Sequence, residues 1–540
     1  MGGGGAVSGC ILNVMTRQIR LSILVMIAAV VASAAPAARA DDPPPWPYKG
    51  YAQIESEILA VETAHPDIVD IFSIGQSYEG RELYAAKISD NVALEEGEPE
   101  VLIDALHHSN EHATVAQALD LLHTLANGYG VDAAITTTVD SRVVWIVFAM
   151  NPDGLEFDLA GTIVRNWRKN RQPTPGTSAI GTDLNRNYSA YWRCCSTGVL
   201  KPTNRMYAGP AKFSTPESTA LRDFVASRVI DGVQRITIYL SLHAAGRYIA
   251  WPRFNPGAGV RIITLDDRLT MNALVIGISQ INGYAHFQYD PTGGASTDWM
   301  YITYKIPSLL MEIGEDTGIV SRFYPSASAM NSEVALNRPA ILWLIDQAQC
   351  PSDPAGLGTR TCGPRFDDFE RAAGWEVNPD ATDTATSGAF ERANPARVRI
   401  GTRIMQLDDA ASGFRAMVTG AAAGRTANSN DLDGVTTARS PQIPLGALPG
   451  DLVFNLSFSY GPTATSADWF RVWVEAEDGT RTLVYQRRAA SRYRWAAYTE
   501  QRVALAAWAN QRIRIVIGAG DEEGASLIEV AVDDVRVERR

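Results

Sequence analysis

The 540-residue chain has few cysteines, no tandem repeat and no low-complexity tract. Outside the N-terminal stretch 21–35, no run approaches the ~18 apolar residues that a membrane-crossing helix needs, which argues against stable membrane insertion. The composition, with 46% hydrophobic and 20% charged residues, is that of an ordinary globular protein. The length is sufficient for two or three hydrophobic cores, so we expect more than one domain.

The chain also lacks an excess of positive charge. Its formal net charge is −12, and it becomes −15 without residues 1–40, which contain three arginines and no acidic residue. A protein of this charge is a poor partner for nucleic acid or for an anionic membrane surface. We therefore expect neither as a ligand.

The first forty residues have the layout of a secretory signal peptide. Arg17 and Arg20 precede the apolar stretch 21–35, and Ala38-Arg39-Ala40 precedes Asp41. This pattern predicts a signal peptide over residues 1–40, cleaved after Ala40, and a secreted protein located outside the cell or in the periplasm. The alternative is a membrane anchor, although the apolar stretch is short for that role.

Five cysteines are present, and Cys10 would leave with the signal peptide. The remaining Cys194, Cys195, Cys350 and Cys362 suggest disulfides in an exported chain, and four cysteines allow three pairings. We favour Cys350 with Cys362, because the adjacent pair could join only through a strained ring.

The apolar periodicity predicts an α/β domain followed by an all-β domain. Buried strands and helices alternate over residues 41–350, which indicates a mixed, mostly parallel sheet flanked by helices. Residues 351–364 are rich in Pro, Gly and Thr and read as a linker. Residues 365–540 contain short alternating segments with turn signals, which favours an antiparallel β-sandwich or jelly roll. The predicted strands are 68–74, 83–88, 101–106, 143–149, 236–242 and 308–311, and the predicted helices are 51–63, 113–125, 217–229, 267–281 and 331–348.

Polar residues follow these strands where the apolar runs end. Asn151, His243 and Glu312 each come directly after such a run, and His108 follows another. In open α/β sheets, ligands bind outside the carboxyl ends of the strands. We therefore expect these four strand ends to meet at one crevice.

A metal site can be formed from these residues. The pair His108-x-x-Glu111 alone is weak evidence, but it lies at a strand end, where a turn can aim both side chains at one point. Catalytic zinc takes three protein ligands and leaves one position open. His243 is the natural third ligand, whereas His107 should face the opposite way and pack. The sequence predicts one catalytic zinc ion held by His108, Glu111 and His243.

These residues belong to a series of motifs that resembles the zinc carboxypeptidases of the carboxypeptidase A type. The resemblance extends over about residues 51–348, and the motifs occur in the order found in that family. They are His108-x-x-Glu111, Trp167-Arg168-Lys169, Asp183-Leu184-Asn185-Arg186-Asn187, Ser241-Leu242-His243, Gly293-Gly294 with Asp298-Trp299, and Glu312 before Asp316-Thr317-Gly318.

The resemblance implies roles for five residues in catalysis. His108, Glu111 and His243 would bind zinc, as in the family's two-histidine, one-glutamate site. Glu312 would be the general base that takes a proton from the attacking water and passes it to the leaving amine. Arg168 would face the developing oxyanion. Without the family match, Arg168 would read as a solvated charge in a basic run.

The resemblance also implies a substrate clamp. Asn185 and Arg186 would hold the terminal carboxylate of a peptide, which arginine can contact with two parallel hydrogen bonds. Tyr289, four residues before Gly293, would close over the bound end. Such a clamp fits a chain end and rejects a chain middle, which is what an exopeptidase requires.

The chain departs from the family at several positions. Asn110 stands where the digestive enzymes have arginine, so an auxiliary contact to the carboxylate is in doubt. An extra residue after Glu312 makes Glu315 a rival base. Thr297 lies near the position that sets side-chain preference, and its neutral side chain argues against strict Lys/Arg specificity. About ten residues separate the predicted signal from the catalytic start, so we expect control without the family's prodomain.

The C-terminal region weakly resembles jelly-roll modules of exported bacterial hydrolases. A structural calcium ion could be bound there, because calcium favours oxygen ligands, although acidic turn residues are more often plain loops. A polymer or surface ligand for this region is a further hypothesis without a named site. The candidate calcium ligands are Asp431, Asp433, Asp533 and Asp534.

We therefore expect a secreted zinc metallocarboxypeptidase that removes C-terminal residues from peptides and proteins. One alternative keeps the metal chemistry but takes cell-wall peptides as substrate. Another is a non-catalytic polymer- or surface-binding protein on a peptidase scaffold. The intact ligands, base and clamp argue against an inert scaffold.

Overall fold

The computed structural model describes residues 48–195, 197–230, 232–253, 263–318, 320–422, 429–523 and 526–539. The predicted signal peptide, residues 1–40, lies outside the described residues. No helix in the described part of the chain is long and apolar enough to cross a membrane.

An eight-stranded mixed sheet forms the centre of the N-terminal region. Its spatial order is β1-β2-β4-β3-β7-β10-β8-β9, and the pairs β4-β3, β3-β7, β7-β10 and β8-β9 are parallel. A separate short hairpin is formed by β5 and β6. The strands are β1 (Val69–Gln76), β2 (Glu82–Ile88), β3 (Glu100–Asp104), β4 (Val143–Val147), β5 (Val229–Ile230), β6 (Val233–Gln234), β7 (Ile236–His243), β8 (Tyr248–Pro252), β9 (Ala285–Tyr289) and β10 (Ser308–Glu312).

Helices cover both faces of this sheet. Neighbouring side chains of β3 enter different cores, Val101 and Ile103 on one face and Leu102 on the other. Because both faces are covered, the middle positions of the central strands are mostly apolar, which is why the sequence shows them as nearly continuous apolar runs. The helices are α1 (Tyr51–Ala64), α2 (Ala113–Gly128), α3 (Ala133–Val139), α4 (Pro152–Leu159), α5 (Pro216–Ser227), α6 (Leu265–Asn282), α7 (Ser296–Tyr304), α8 (Ala327–Asp346) and the short α9 (Gly358–Thr361).

The C-terminal region is an antiparallel β-sandwich of two six-stranded sheets. One sheet has the order β13-β16-β24-β19-β22 with β11 on β24, and the other has β12-β17-β23-β20-β21 with β18 on β23. A small hairpin, β14-β15, stands apart. The strands are β11 (Arg365–Asp367), β12 (Glu376–Val377), β13 (Phe390–Ala393), β14 (Val398–Ile400), β15 (Arg403–Gln406), β16 (Ala416–Thr419), β17 (Gly434–Arg439), β18 (Ile443–Pro444), β19 (Leu452–Tyr460), β20 (Trp469–Ala476), β21 (Arg481–Arg488), β22 (Thr499–Val503), β23 (Arg512–Asp521) and β24 (Ile528–Val537).

Alternate residues of these strands face one shared core. Phe454 of β19 and Phe470 of β20 meet across it, with ring centroids 6.2 Å apart. The predicted fold class is therefore confirmed: an α/β domain, with a mixed sheet between helices, precedes a region of antiparallel strands.

The segment predicted as a linker, residues 351–364, is folded. It contains α9, and Arg360 pairs with Asp266 of α6 at 3.0 Å and with Asp534 of β24 at 3.5 Å. This segment therefore contacts both regions. The domain boundaries at residues 350 and 365 stay predictions.

Two disulfides are formed. Cys350 is joined to Cys362, as predicted. Cys194 is joined to its neighbour Cys195, the pairing that the sequence analysis disfavoured. This adjacent pair lies in the loop that follows Arg186, next to the backbone of Gly293.

Candidate metal centre and active site

Three neighbouring parallel strands bring the predicted site residues to one edge of the sheet. His243 is the last residue of β7 and Glu312 the last residue of β10, and the two are paired in register. On the other side of β7 runs β3, and the turn after β3 carries His108 and Glu111. The carboxyl ends of parallel strands thus place four chemically active side chains together, as the sequence pattern predicts.

The three predicted metal ligands form a small buried triangle. His108 Nδ1 lies 2.8 Å from Glu111 Oε1, and His243 Nδ1 lies 3.0 Å from Glu111 Oε2. The two Nδ1 atoms are 3.1 Å apart. All three residues are at most 3% exposed. Two imidazoles and one carboxylate therefore point their metal-binding atoms at a single position.

This arrangement fits a zinc ion. Ligand atoms 2.0–2.1 Å from zinc in a tetrahedron are about 3.3 Å from one another, close to the separations within this triangle. The donor set is the one that zinc favours, and facing lone pairs of two buried imidazoles need a cation or a proton between them. A second acidic group, Asp90 with Glu96 and Glu98, also has metal-ligand spacing, but it is partly exposed and contains only carboxylates.

The outer nitrogen of each histidine ligand has a polar partner. His108 Nε2 lies 3.2 Å from Asp183 Oδ1, while His243 Nε2 lies 3.2 Å from both Ser241 Oγ and Asn185 Nδ2. Asp183 can accept from His108 Nε2, and Ser241, whose own hydroxyl donates to Asp104, can accept from His243 Nε2. These two acceptors favour the tautomers that leave Nδ1 free for a metal. Asp183 belongs to the motif Asp183-Leu184-Asn185-Arg186-Asn187, but its sequence position predicts no role for it. Its contact to His108 crosses 75 residues, which no local pattern can show.

Glu111 is held in its ionised form. Burial alone would raise its pKa, but the two imidazoles that face it lower the pKa overall. An ionised carboxylate is the form that binds a metal. The local electrostatics therefore favour the ionised form of Glu111, which is the form that a metal ion needs.

Glu312 lies beside the triangle and is partly buried. Burial and the nearby Glu111 carboxylate raise its pKa to about 8, while Arg168 opposes this shift. The rival base Glu315 is exposed, and its carboxylate pairs with Arg247 at 2.6 Å. The structure thus places Glu312, and not Glu315, next to the predicted metal ligands.

Arg168 also lies beside the triangle. Its Nε donates to Asp183 Oδ2 at 3.0 Å, and its Nη1 is 3.6 Å from Glu111 Oε1. Its backbone carbonyl accepts from Ser109 N at 3.3 Å and from Asn151 Nδ2 at 3.3 Å. The turn after β3 and the end of β4 therefore fix the segment that carries this guanidinium.

The predicted clamp residues lie along one loop. Asn185 is buried at the His243 ring and accepts from Ser296 N at 2.9 Å, while Arg186 Nη1 donates to the Asn185 carbonyl at 2.6 Å. Gly294 has a φ of 83°, and a Cβ there would be 2.1 Å from the Arg186 carbonyl oxygen. Only glycine allows this close approach of the two backbones. It brings the end of the Tyr289 loop against the clamp.

Tyr289 and Thr297 are in direct contact. Their hydroxyl oxygens are 2.6 Å apart. The electrostatic environment of Tyr289 includes Arg186 and Asp298. The predicted mobile tyrosine is thus folded towards the residue expected to influence side-chain preference, with the clamp arginine nearby.

Among the described residues, His107, His112 and Asn110 contribute no ligand atom to the triangle, although the His107 ring stacks on the His243 ring with centroids 5.8 Å apart. His107 is buried and lies 2.8 Å from the Tyr188 hydroxyl, and His112 lies 2.9 Å from Asp158. Asn110 donates to Asn166 at 2.8 Å and supplies no cation to the site.

The four aspartates proposed as calcium ligands do not form a metal site. Among the described residues, none of them belongs to a group of three ligands at metal-binding distance. Asp533 and Asp534 instead accept hydrogen bonds from Ser412, and Asp433 accepts one from Thr386. The calcium prediction is not supported.

Comparisons with known proteins identify a family for the α/β region. The profile of the zinc carboxypeptidase family, peptidase M14, matches residues 54–340. A zinc carboxypeptidase of Saccharothrix mutabilis subsp. capreolus is 33% identical over 323 residues, which is 58% of this chain and 72% of that protein. Human carboxypeptidase B is 27% identical over 260 residues, or 47% and 60% of the two chains.

Solved structures show similarity over the same region. Thrombin-activatable fibrinolysis inhibitor has 24% identity and a TM-score of 0.49, over 56% of this chain and 74% of that one. The family profile spans more than half of the present chain. The chain therefore belongs to the zinc carboxypeptidases of peptidase family M14.

Proposed function

We propose that this protein is a secreted zinc carboxypeptidase that removes single residues from the C-termini of peptides and proteins. The observation that carries this proposal is the triangle of His108, Glu111 and His243 at the edge of the sheet, with Glu312 beside it. Family membership supports the metal and the reaction class. The residue roles below are our assignments.

Peptide hydrolysis at this site needs a Lewis acid and a base. When bound by the triangle, zinc would polarise a carbonyl oxygen and make a neighbouring water more acidic. Glu312 takes the proton of the attacking water and delivers it to the nitrogen of the leaving residue. A pKa raised to about 8 suits a group that must both accept and release a proton near neutral pH.

Arg168 stabilises the oxyanion that forms when water adds to the carbonyl. Its guanidinium is 15% exposed and is held by Asp183, so it needs little reorganisation during the reaction. A fixed cation in such a site contributes several kcal/mol, because the loss of one oxyanion donor typically lowers the rate ~10²- to 10³-fold.

Arg186 and Asn185 bind the free carboxylate of the substrate, and Tyr289 closes over it. Burial and the nearby Arg168 lower the pKa of Arg186, while the Asp183 carboxylate opposes this shift. A substrate carboxylate would add a second anion next to this arginine. A peptide with a blocked C-terminus would leave the arginine without that partner, so it would bind poorly.

Secretion is supported by the sequence of residues 1–40. The N-terminal sequence of protein recovered from the culture medium or periplasm of a bacterial host tests it. We expect this sequence to begin at Asp41. An intact N-terminus on membrane-bound protein would instead indicate an anchor.

The enzymatic proposal is tested with N-blocked dipeptides that end in Phe, Leu, Lys or Arg, each as the free acid and as the C-terminal amide. We expect cleavage of free acids, loss of activity with a chelator and recovery with zinc. Amides should be cleaved at least ~10²-fold more slowly, the scale of losing buried charged contacts. Equal cleavage of acids and amides would refute the clamp. Chelator-resistant cleavage would refute the metal mechanism.

A further inference from the structure

Tyr248 of β8 lies opposite Glu312, the predicted general base, on the neighbouring strand β10. In the antiparallel pair of β8 and β10, Tyr248 and Glu312 are directly paired residues. Side chains of directly opposed residues lie on the same face of a sheet, with Cβ atoms about 4.5–5.5 Å apart. The phenol ring therefore belongs to the face that carries the metal site.

The ring of Tyr248 is fixed from two sides. A Cβ on Gly246 would lie 2.6 Å from Tyr248 Cε1 and 3.7 Å from Glu312 Cβ, so the ring lies against the bare glycine backbone next to Glu312. On its other side, the ring packs on Phe287, with centroids 4.8 Å apart. This packing leaves the hydroxyl little freedom to turn away.

The strand pairing and the shared contact with Gly246 bring the Tyr248 side chain next to Glu312, and the phenol and the carboxylate interact directly. Burial, together with the negative charges of Glu312 and Glu111, raises the pKa of Tyr248. The phenol therefore keeps its proton over the working range of the enzyme. Its hydroxyl can therefore donate a hydrogen bond to the ionised Glu312 carboxylate.

A carboxylate at a strand end can rotate about its side-chain bonds. Arg168, which has Asp183 and Glu111 as closer partners, also attracts Glu312. A donor on one oxygen opposes this rotation and leaves the second oxygen free for water. We propose that Tyr248 is a positioning residue that holds Glu312 in the orientation required of the general base. This inference rests on the proposed function.

The test is the full-length variant Tyr248→Phe, which keeps the ring packing and removes only the donor. We expect kcat to fall about tenfold, the scale of one hydrogen bond to a charged group. KM should stay within about twofold and bound zinc should stay unchanged. The matched control is Tyr84→Phe, which removes a phenol that donates to Glu55 at 2.7 Å, away from the site. That variant should keep the wild-type kcat.

A second variant, Gly246→Ala, displaces the Tyr248 ring by steric conflict but retains its hydroxyl group. It should lower kcat in the same direction without loss of zinc. A wild-type kcat in both site variants would overturn the inference, as would a change confined to KM, which would make Tyr248 a substrate contact. If wild-type protein hydrolyses none of the peptides, the proposed function fails and the inference falls with it. An active wild type with an equally active Tyr248→Phe refutes the inference alone.

Discussion

The two regions of this molecule both contain buried acidic side chains, but only one region turns them into a site. In the α/β region, parallel strands end at one edge, and Glu111 and Glu312 meet there with the histidine ligands. In the β-sandwich, successive antiparallel strands end at opposite edges. Its buried Asp533 and Asp534 are next to each other in sequence, but their carboxylates accept hydrogen bonds from Ser412, from Asn455 and from a backbone N–H.

The difference shows what a metal site requires beyond acidic residues. In the α/β region, the ligand atoms of different elements face one another at about 3 Å and their outer atoms are held by further polar groups. In the sandwich, Asp533 and Asp534 accept hydrogen bonds from neutral donors, and Asp534 also accepts one from Arg360. A carboxylate whose oxygens already accept hydrogen bonds gains less free energy when it binds a cation.

The largest effect on activity is expected from Glu111→Gln, which tests whether the α/β region holds a metal ion. The variant keeps the shape of the ligand but removes the charge that the two imidazoles stabilise. We expect loss of bound zinc and loss of measurable hydrolysis, because a neutral amide is a poor zinc ligand. Metal analysis of the purified variant, together with its rate on a free-acid dipeptide, checks this. A variant that keeps one zinc ion and full activity would remove Glu111 from the site.

A smaller effect is expected from Arg168→Ala. This change deletes the cation assigned to the oxyanion and leaves the metal ligands in place. We expect kcat to fall ~10²- to 10³-fold, with zinc content unchanged. Steady-state kinetics on the same dipeptide measure it. A rise in KM at constant kcat would mean that Arg168 binds the ground state of the substrate instead.

The smallest effect on activity is expected from Asp534→Asn in the sandwich. The variant loses the charge that faces Arg360 but keeps an acceptor for Ser412. We expect unchanged kcat and zinc content, with a loss of about 1–3 kcal/mol in unfolding free energy. Denaturant titration of both proteins measures this loss. A calcium-dependent stability of the wild type that disappears in Asp534→Asn would show that the sandwich does bind an ion.

Much of the fold could be predicted from the sequence, because strands covered on both faces consist mostly of consecutive apolar residues. The run 308–311 corresponds to β10 (Ser308–Glu312), and the run 101–106 overlaps β3 (Glu100–Asp104). Strands β8 and β9 were not predicted. β9 is mostly exposed at one edge of the sheet, so its sequence carries no such run.

The metal ligands were also within reach of the sequence, because His243 ends its strand and the pair His108 and Glu111 follows another. The contacts that support these residues could not be predicted from the sequence. Asp183 reaches His108 across 75 residues, and the pairing of Tyr248 with Glu312 depends on the register of two strands. Such contacts follow from the sheet order, which a single sequence does not specify. The Cys194–Cys195 pair was missed because we disfavoured a bond between adjacent cysteines.

The central claim is that Glu312 performs the proton transfer at a zinc site formed by the strand ends. The most direct test is Glu312→Gln in the full-length protein, with zinc content, KM and kcat measured together on one free-acid dipeptide. We predict one bound zinc ion, a KM close to that of the wild type and a kcat lowered ~10²- to 10⁴-fold, the range for loss of a general base. Hydrolysis at the wild-type rate by this zinc-loaded variant would contradict the account.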